Sequence, residues 1–274
     1  MKINPWVWLV FLLGLGVAIA QQTNTTSSIV NNVSIETLKT KAETGNAVAQ
    51  NSLGLCYANG QGVARDWIEA NKWFRKAAEQ NNTMAQNNLG MSYLHGYGVE
   101  TNAVEAVGWF RKAAEQGFAM AQMNLGFSYY LGRGVTQNYV EAVKWLRKAV
   151  EQGDAHAQGL LGDCYFRGLG VTKDYVEAVK CFQKAAENGF VPAQRDLGVC
   201  YVNGQGIEKN NIEAYKWWLI AKANGDEVAA KYLLTLEREM SSDQIAKSQE
   251  LARNFKATRT SDASGGNLAK PDKF

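Results

Sequence analysis

The stretch AEQGFAMAQMNLGFSYYLGRGV, residues 114 to 135, ends one predicted helix at Gly117 and contains the whole of the next. Apolar or small residues recur every four positions on one side of that helix, namely Ala121, Leu125 and Tyr129. This is the pattern of a single buried face. A second apolar stripe lies on the opposite side, namely Met120, Met123, Phe127 and Leu131. One buried face is enough for a helix of a small domain, so the second stripe needs its own explanation.

The same pattern returns along the chain at a fixed period of 36 residues. Glycine recurs in three positions of it: Gly54, Gly90, Gly126, Gly162 and Gly198; Gly60, Gly96, Gly132, Gly168 and Gly204; Gly62, Gly98, Gly134, Gly170 and Gly206. Tyrosine recurs in a fourth: Tyr57, Tyr93, Tyr129, Tyr165 and Tyr201. Five copies at one period predict an all-α solenoid of small supersecondary units, each in contact with its neighbours.

Each unit has the signals of two helices. The first helix carries Ala-Gln-x-x-Leu-Gly-x-x-Tyr and ends at Gly-x-Gly, where glycine can adopt positive φ. The second begins after an Asx residue with glutamate three positions later, which predicts a capping box: Asp66, Asn102, Asn138, Asp174 and Asn210. It ends at residues suited to a left-handed cap: Asn81, Gly117, Gly153, Gly189 and Gly225.

The ends of the chain differ from the repeats. Residues 1–20 have a lysine near the start, an apolar run and Ala18-Ile19-Ala20, which predicts a signal peptide cleaved before Gln21. The alternative is an uncleaved membrane anchor, for which the run is short. We expect a polar linker over 21–33, a solenoid over 34–257 and a disordered tail over 258–274. The mature protein is thus predicted to be exported, to the periplasm or the medium, without a membrane span.

Within the solenoid, the five repeats are placed at about 42–77, 78–113, 114–149, 150–185 and 186–221. Ser34 to Glu43 is predicted to form a capping helix in front of them. Behind them, a helix from Asp226 to about Glu239 lacks the Gly-x-Gly turn. A last helix begins at Ser241, which has Gln244 at capping-box spacing.

The repeated residues resemble the Sel1-like repeat family, a relative of the tetratricopeptide repeat. The resemblance lies in Ala-x-Ala-Gln-x-x-Leu-Gly-x-x-Tyr-x-x-Gly-x-Gly-Val followed by Glu-Ala-x-x-Trp-x-x-Lys-Ala-Ala-Glu-Gln-Gly, over residues 42–236. It implies a right-handed α/α solenoid of five 36-residue helix-turn-helix repeats with capping helices. It also implies a concave groove that serves as a scaffold for protein partners. Some exported members are cysteine-rich and linked to β-lactam chemistry, but this chain lacks a cysteine pair in each repeat.

The sequence offers no constellation for catalysis, a metal or a cofactor. Ser-x-x-Lys and Gly-x-Ser-x-Gly are missing from the predicted mature chain, and the repeated glutamates are explained by capping. The two histidines, His95 and His156, lie in different repeats without clustered ligands. A net charge of +3 gives no basic signature for nucleic acid. We therefore predict a non-enzymatic protein, with a secreted cell-wall-related hydrolase or ligand binder as the alternative.

Four cysteines remain to be placed. Cys56, Cys164 and Cys200 share one position of the first helix, and Cys181 replaces a tryptophan in the second helix of repeat 4. Antiparallel pairing of the two helices brings Cys181 within about a turn of Cys164 and of Cys200. Two interpretations stay open, a disulfide from Cys181 to one of them, or small buried thiols.

The second stripe of the first helices differs in every repeat, whereas the first stripe hardly changes. In repeats 2 and 3 the second stripe contains several methionines, whereas in repeat 4 it contains charged side chains. Because methionine adapts to irregular partners and exposed apolar patches are seldom unused, we predict a partner-binding groove. Its residues are Met84, Asn87, Met91, His95, Met120, Met123, Phe127, Leu131, His156, Asp163, Arg167, Arg195 and Val199. Replacement of Met120 and Phe127 by glutamate should then abolish partner binding without lowering the melting temperature. The alternative is that the superhelix shields this stripe, or that a terminal extension covers it.

Overall fold

The computed structural model describes residues 34–255, which form thirteen α-helices and one 3-10 helix, with no strand in that range. The predicted signal peptide, linker and tail lie outside the described residues. Helix α1 spans Ile35–Glu43 and caps the N-terminal end. The right-handed α/α solenoid predicted from the repeats is confirmed.

The ten helices of the five repeats each contain 13 residues. The first helices are α2 (Ala47–Asn59), α4 (Thr83–His95), α6 (Ala119–Leu131), α8 (Ala155–Arg167) and α10 (Val191–Asn203). The second helices are α3 (Trp67–Glu79), α5 (Ala103–Glu115), α7 (Tyr139–Glu151), α9 (Tyr175–Glu187) and α11 (Asn211–Ala223). The C-terminal cap consists of α12 (Glu227–Leu236), a 3-10 turn (Glu237–Glu239) and α13 (Ser242–Asn254).

The Asx residues predicted to begin the second helices do so, but half of the predicted capping box is absent. The Asp66 side chain accepts hydrogen bonds from the backbone N–H groups of Ile68 and Glu69, as expected of an N-cap. Its own N–H donates to the carbonyl oxygen of Tyr57 at 2.9 Å, and the same bond recurs in every repeat. The glutamate side chain is therefore not needed there, and Glu69 pairs with Lys72 instead. Within the described residues, both halves of a capping box form only at Ser241 and Gln244.

The two glycines of each Gly-x-Gly turn have different roles. The first, such as Gly132, ends the first helix in the left-handed conformation, with φ +70°. The second lies against the preceding repeat: a Cβ on Gly134 would come within 2.0 Å of the carbonyl oxygen of Ala103, at the start of α5. Its φ of +75° also favours glycine. The turn of one repeat is thus seated on the second helix of the repeat before it.

A buried glutamine connects three helices at each of four repeat boundaries. In repeat 3, the Gln122 amide donates to the carbonyl oxygen of Ala114 in α5 at 3.2 Å, and its oxygen accepts from Gln152, after α7, at 2.8 Å. Gln50, Gln86 and Gln194 make the equivalent pairs of bonds. Because both polar ends are satisfied, this amide can be buried without the cost of an unpaired polar group.

The tryptophans that recur in the second helices lie between repeats. Trp109, Trp145 and Trp217 are buried, at 7%, 6% and 4% exposed. Trp73 is only half-buried, since it packs against the cluster that includes the short helix α1.

First helices of consecutive repeats contact each other directly. Asn88 donates to Asn51 at 3.0 Å, Asn124 donates to Asn87 at 2.9 Å, and Tyr130 donates to Asp163 at 2.5 Å. Second helices are arranged differently: the Gly-x-Gly turn that precedes one second helix lies against the N-terminal end of the second helix before it. The first helices thus form one continuous side of the stack, which we call the inner side.

Replacement of Trp109 by alanine should lower the free energy of unfolding by about 3–5 kcal/mol, because it leaves a large cavity between two repeats. The matched control is Val104→Ala in the same helix, where the side chain is 70% exposed and the change should stay within about 0.5 kcal/mol. Denaturant unfolding followed by circular dichroism measures both. Equal stabilities of the two variants would contradict the assignment of helix faces.

Candidate functional site

The inner side opens into a cleft at repeats 3 to 5. It contains a cavity of about 250 Å³. The first helices supply most of its lining: Phe127 and Tyr130 from α6, Gly159, Leu160, Asp163, Phe166 and Arg167 from α8, and Pro192, Ala193, Arg195, Asp196 and Val199 from α10. Phe182, Phe190 and Tyr232 complete the lining from other elements. Below, "the cleft" means this set of residues.

The lining of the cleft includes a glycine of repeat 4 at a position where the other repeats have larger side chains. The equivalents of Gly159 are Asn51, Asn87, Met123 and Arg195. A Cβ on Gly159 would lie only 2.3 Å from the ring of Phe190, so the ring occupies the space that a side chain would fill. Phe190 is itself unusual, because it stands at the N-cap of α10 and provides no capping hydrogen bond.

One polar group of the cleft joins α6 to α8. The Tyr130 hydroxyl donates to Oδ2 of Asp163 at 2.5 Å, and Nε of Arg167 donates to Oδ1 of the same carboxylate at 2.8 Å. Burial, and then the neighbouring Asp163 carboxylate, raise the pKa of Tyr130. The phenol therefore stays protonated and acts as a donor, and Arg167 is the member of this group that reaches solvent, at 42% side-chain exposure.

A second polar group joins α10 to the cap. Arg195 is 8% exposed and donates to Asp196 at 3.1 Å through Nε and to Asp226 at 2.8 Å through Nη1. Asp226 also caps α12 through its other oxygen. Loss of water around Asp196 outweighs the attraction of Arg195 and raises its pKa to about 6, and Asp163 and Asp226 act in the same direction.

Five of the predicted groove residues meet in the cleft: Phe127, Asp163, Arg167, Arg195 and Val199. Two of them are less accessible than the groove prediction required, because Phe127 is 4% and Arg195 8% exposed. The predicted tolerance of glutamate at Phe127 does not fit this burial, since a carboxylate there would lose its water. The second stripe therefore serves packing at this point as well as lining the cleft.

Most residues in the methionine-rich part of the predicted groove contact a neighbouring repeat or the core. Asn87 is 1% exposed and lies 3.6 Å, Nδ2 to Sδ, from Met120. Nδ2 of Asn124 lies 3.7 Å from Sδ of Met91. Met123 and Leu131 pack against the core cluster that contains Phe127. Only Met84, at 38%, is clearly exposed. Shielding by the superhelix, the alternative interpretation, accounts for most of this segment.

The two histidines are held by aromatic neighbours. His95 stacks on Tyr97 at 5.4 Å between ring centroids, and His156 meets Phe190 edge-on at 4.9 Å. Burial, followed by the nearby Arg133, lowers the pKa of His95 to about 4. Among residues 34–255, no group of three or more His, Cys, Asp or Glu side chains is arranged to bind a metal. No helix in that range is both long and apolar enough to cross a bilayer.

Sequence reasoning missed several residues of the cleft, among them Tyr130, Phe190 and Asp196. Two signals pointed to them. The position of Tyr130 changes in every repeat, to Ala58, Leu94, Phe166 and Val202. At the start of the first helices, phenylalanine replaces the Asx cap in repeats 3 and 5. Differences between the repeats thus mark the positions of Tyr130 and Phe190.

All four cysteines are free and buried, so neither disulfide considered for Cys181 is formed in the structure. Cys181 packs in one core cluster with Cys164, whereas Cys200 belongs to the next cluster. Burial raises the pKa of Cys164 and of Cys200 to about 12, and that of Cys181 to about 11. Such thiols stay protonated at neutral pH and react slowly.

Comparison with known proteins agrees with this architecture. The family model "Sel1 repeat" matches residues 47–82, 83–118, 119–154, 155–190 and 191–226, five residues later in phase than the repeats placed from the sequence. The chain is similar to the crystal structure of a Sel1 repeat protein from Oxalobacter formigenes, with 34% identity and a TM-score of 0.70, over 94% of this chain and 98% of that one.

It is also similar to c5321, a protective antigen of uropathogenic Escherichia coli strains that displays an SLR fold, with 41% identity and a TM-score of 0.73. That match covers 80% of this chain but 48% of c5321, so the chain spans about half the length of that relative. Among curated proteins, no match to this chain was found.

The cysteines give a direct test of the buried thiols. The folded protein should react hardly at all with Ellman's reagent at about pH 8, because raised pKa values and burial suppress the thiolate. In guanidinium without reductant, all four cysteines should react. Two reactive thiols in guanidinium would instead support the disulfide predicted from the sequence.

Gly159→Ala should lower the free energy of unfolding by about 1–3 kcal/mol, since the added methyl group must displace the Phe190 ring. Gly108→Ala is the matched control within a helix: its Cβ would meet nothing within 4 Å, so alanine should stabilise by about 0.5–1 kcal/mol. Opposite signs in chemical denaturation support the geometry of the cleft. A stabilising Gly159→Ala would show that Phe190 does not lie there.

Proposed function

Since the chain belongs to the Sel1 repeat family, whose members are typically protein–protein interaction scaffolds, we propose that it is an exported, non-enzymatic scaffold. In this proposal, the cleft of repeats 3 to 5 binds a segment of a partner protein. The supporting observation is the cavity lined by the first helices of repeats 3 to 5, where five predicted groove residues meet. Most of the remaining predicted groove residues are engaged in contacts between repeats, so the proposed binding site is restricted to the cleft.

The composition of the cleft suits a protein segment. Its walls combine aromatic rings with a small number of fixed polar groups, as is usual in binding pockets. The Asp163 and Arg195 side chains are held by hydrogen bonds to neighbouring helices, so little side-chain freedom would be lost when a partner binds. Arg167 and Val199 lie at more accessible positions and would contact the partner first.

The export component of the proposal rests on residues 1–20, with their apolar run and Ala18-Ile19-Ala20. The destination would be the periplasm or the medium. A polar segment over 21–33 would then separate the cleavage site from α1.

Photocrosslinking in the native host tests the proposal. Benzoylphenylalanine at Val199, in the cleft, should crosslink to a defined partner in the exported fraction, and benzoylphenylalanine at Val140, which is 64% exposed on α7, should not. Arg167→Glu should reduce the Val199 crosslink, whereas the exposed control Arg253→Glu should leave it unchanged. Crosslinking only from Val140, or only in the cytoplasm, would contradict the binding site or the export, respectively.

A further inference from the structure

The polar groups in and behind the cleft carry more negative than positive charge. Two guanidinium groups, Arg167 and Arg195, face three carboxylates, Asp163, Asp196 and Asp226. Each arginine is already bound to a carboxylate of the protein, Arg167 to Asp163 and Arg195 to both Asp196 and Asp226. An acidic ligand would thus find no unpaired cation in the cleft and would meet the carboxylates of Asp163 and Asp196. The charge balance favours a cationic ligand.

Of these three carboxylates, Asp196 is the one that can still accept hydrogen bonds from a ligand. Oδ1 accepts from Arg195, and no described residue donates to its other oxygen. By contrast, one oxygen of Asp226 accepts from Arg195 and the other from two backbone N–H groups, and both oxygens of Asp163 are engaged. The Asp196 side chain is 34% exposed and lines the cavity. It therefore offers an acceptor that a ligand can reach.

The walls around this carboxylate are aromatic. Phe127 and Tyr130 come from α6, Phe166 from α8 and Phe190 from the start of α10. Aromatic faces attract cations, and the aliphatic stem of a lysine or arginine packs well on apolar surface. A cavity of about 250 Å³ offers room for one side chain rather than for a folded element.

We propose that the cleft binds one basic side chain of the partner, with its cationic group at Asp196 and its stem along the aromatic walls. The inference rests on the proposed function, because it names the chemistry of the segment that the scaffold would bind. An arginine or lysine at that point of the partner would decide which segments are accepted.

Binding should depend on pH in a defined direction. The charged groups that face Asp196 are Arg195 on its own helix, Arg167 and Asp163 on α8, and Asp226 at the start of α12. Burial, together with these neighbours, raises the pKa of Asp196 to about 6. Below that pH the carboxyl is protonated and offers the cation no charge. Affinity should therefore fall roughly tenfold between about pH 7.5 and about pH 5.

The test uses N-acetylarginine amide and N-acetyllysine amide as probes, with N-acetylcitrulline amide as the uncharged match to arginine. Titrations of the folded protein, followed by NMR chemical shifts, should show binding of the basic amides at the cleft and at least tenfold weaker binding of citrulline. Asp196→Asn should weaken the arginine probe about tenfold and remove its pH dependence. The exposed control Asp243→Asn should bind like the unmodified protein.

A carbon NMR titration of the Asp196 carboxyl provides a second measurement that does not depend on a variant. Its pKa should fall when the arginine amide is bound. Equal binding of arginine and citrulline, tighter binding of N-acetylglutamate amide, or an unchanged Asp196 pKa would overturn the inference. A crosslink from Val199 combined with any of these results would leave the scaffold in place and remove only its preference for a basic side chain.

Discussion

The register of the stack depends on a buried amide that must be satisfied at both ends. Gln122 and three of its four equivalents (Gln50, Gln86 and Gln194) lie where three helices meet, and each of these bonds to a carbonyl at the end of the preceding unit and to a polar side chain at the end of its own. A shift of one repeat against the next would leave buried donors and acceptors unpaired, at a cost of about 1–3 kcal/mol for each group. Apolar packing alone would tolerate small shifts, whereas these hydrogen bonds do not.

Once the register is fixed, residues on the inner side can vary from repeat to repeat. In the first three repeats this freedom is used for direct contacts between first helices, such as the amide pair of Asn124 and Asn87. In repeat 4 the position equivalent to Asn87 is Gly159, and the ring of Phe190 from the next repeat lies over it. The cleft lies at this part of the inner side and provides space for a ligand within the regular framework of the repeats.

The sequence predicted the fold well because each repeat carries the same local signals. Caps, glycine turns and buried faces agree in five copies, so errors in one copy are corrected by the others. The candidate site was harder to predict, because it depends on differences between copies. A helical projection places Phe127 and Asn87 on the face of their helices opposite the buried stripe. It cannot show that the neighbouring first helix covers that face. Likewise, the Asx and glutamate spacing predicted a reciprocal cap, whereas a tyrosine carbonyl takes the N–H instead.

The seating of each Gly-x-Gly turn on the repeat before it gives the assembly a direction. The surface that receives the turn of repeat 3 is the start of α5, which belongs to repeat 2 and is synthesised earlier. Each new unit thus finds its docking platform already made as the chain emerges, and α1 provides the first one. Growth by addition to a finished end, rather than collapse of the whole chain, is the order of events that this geometry favours.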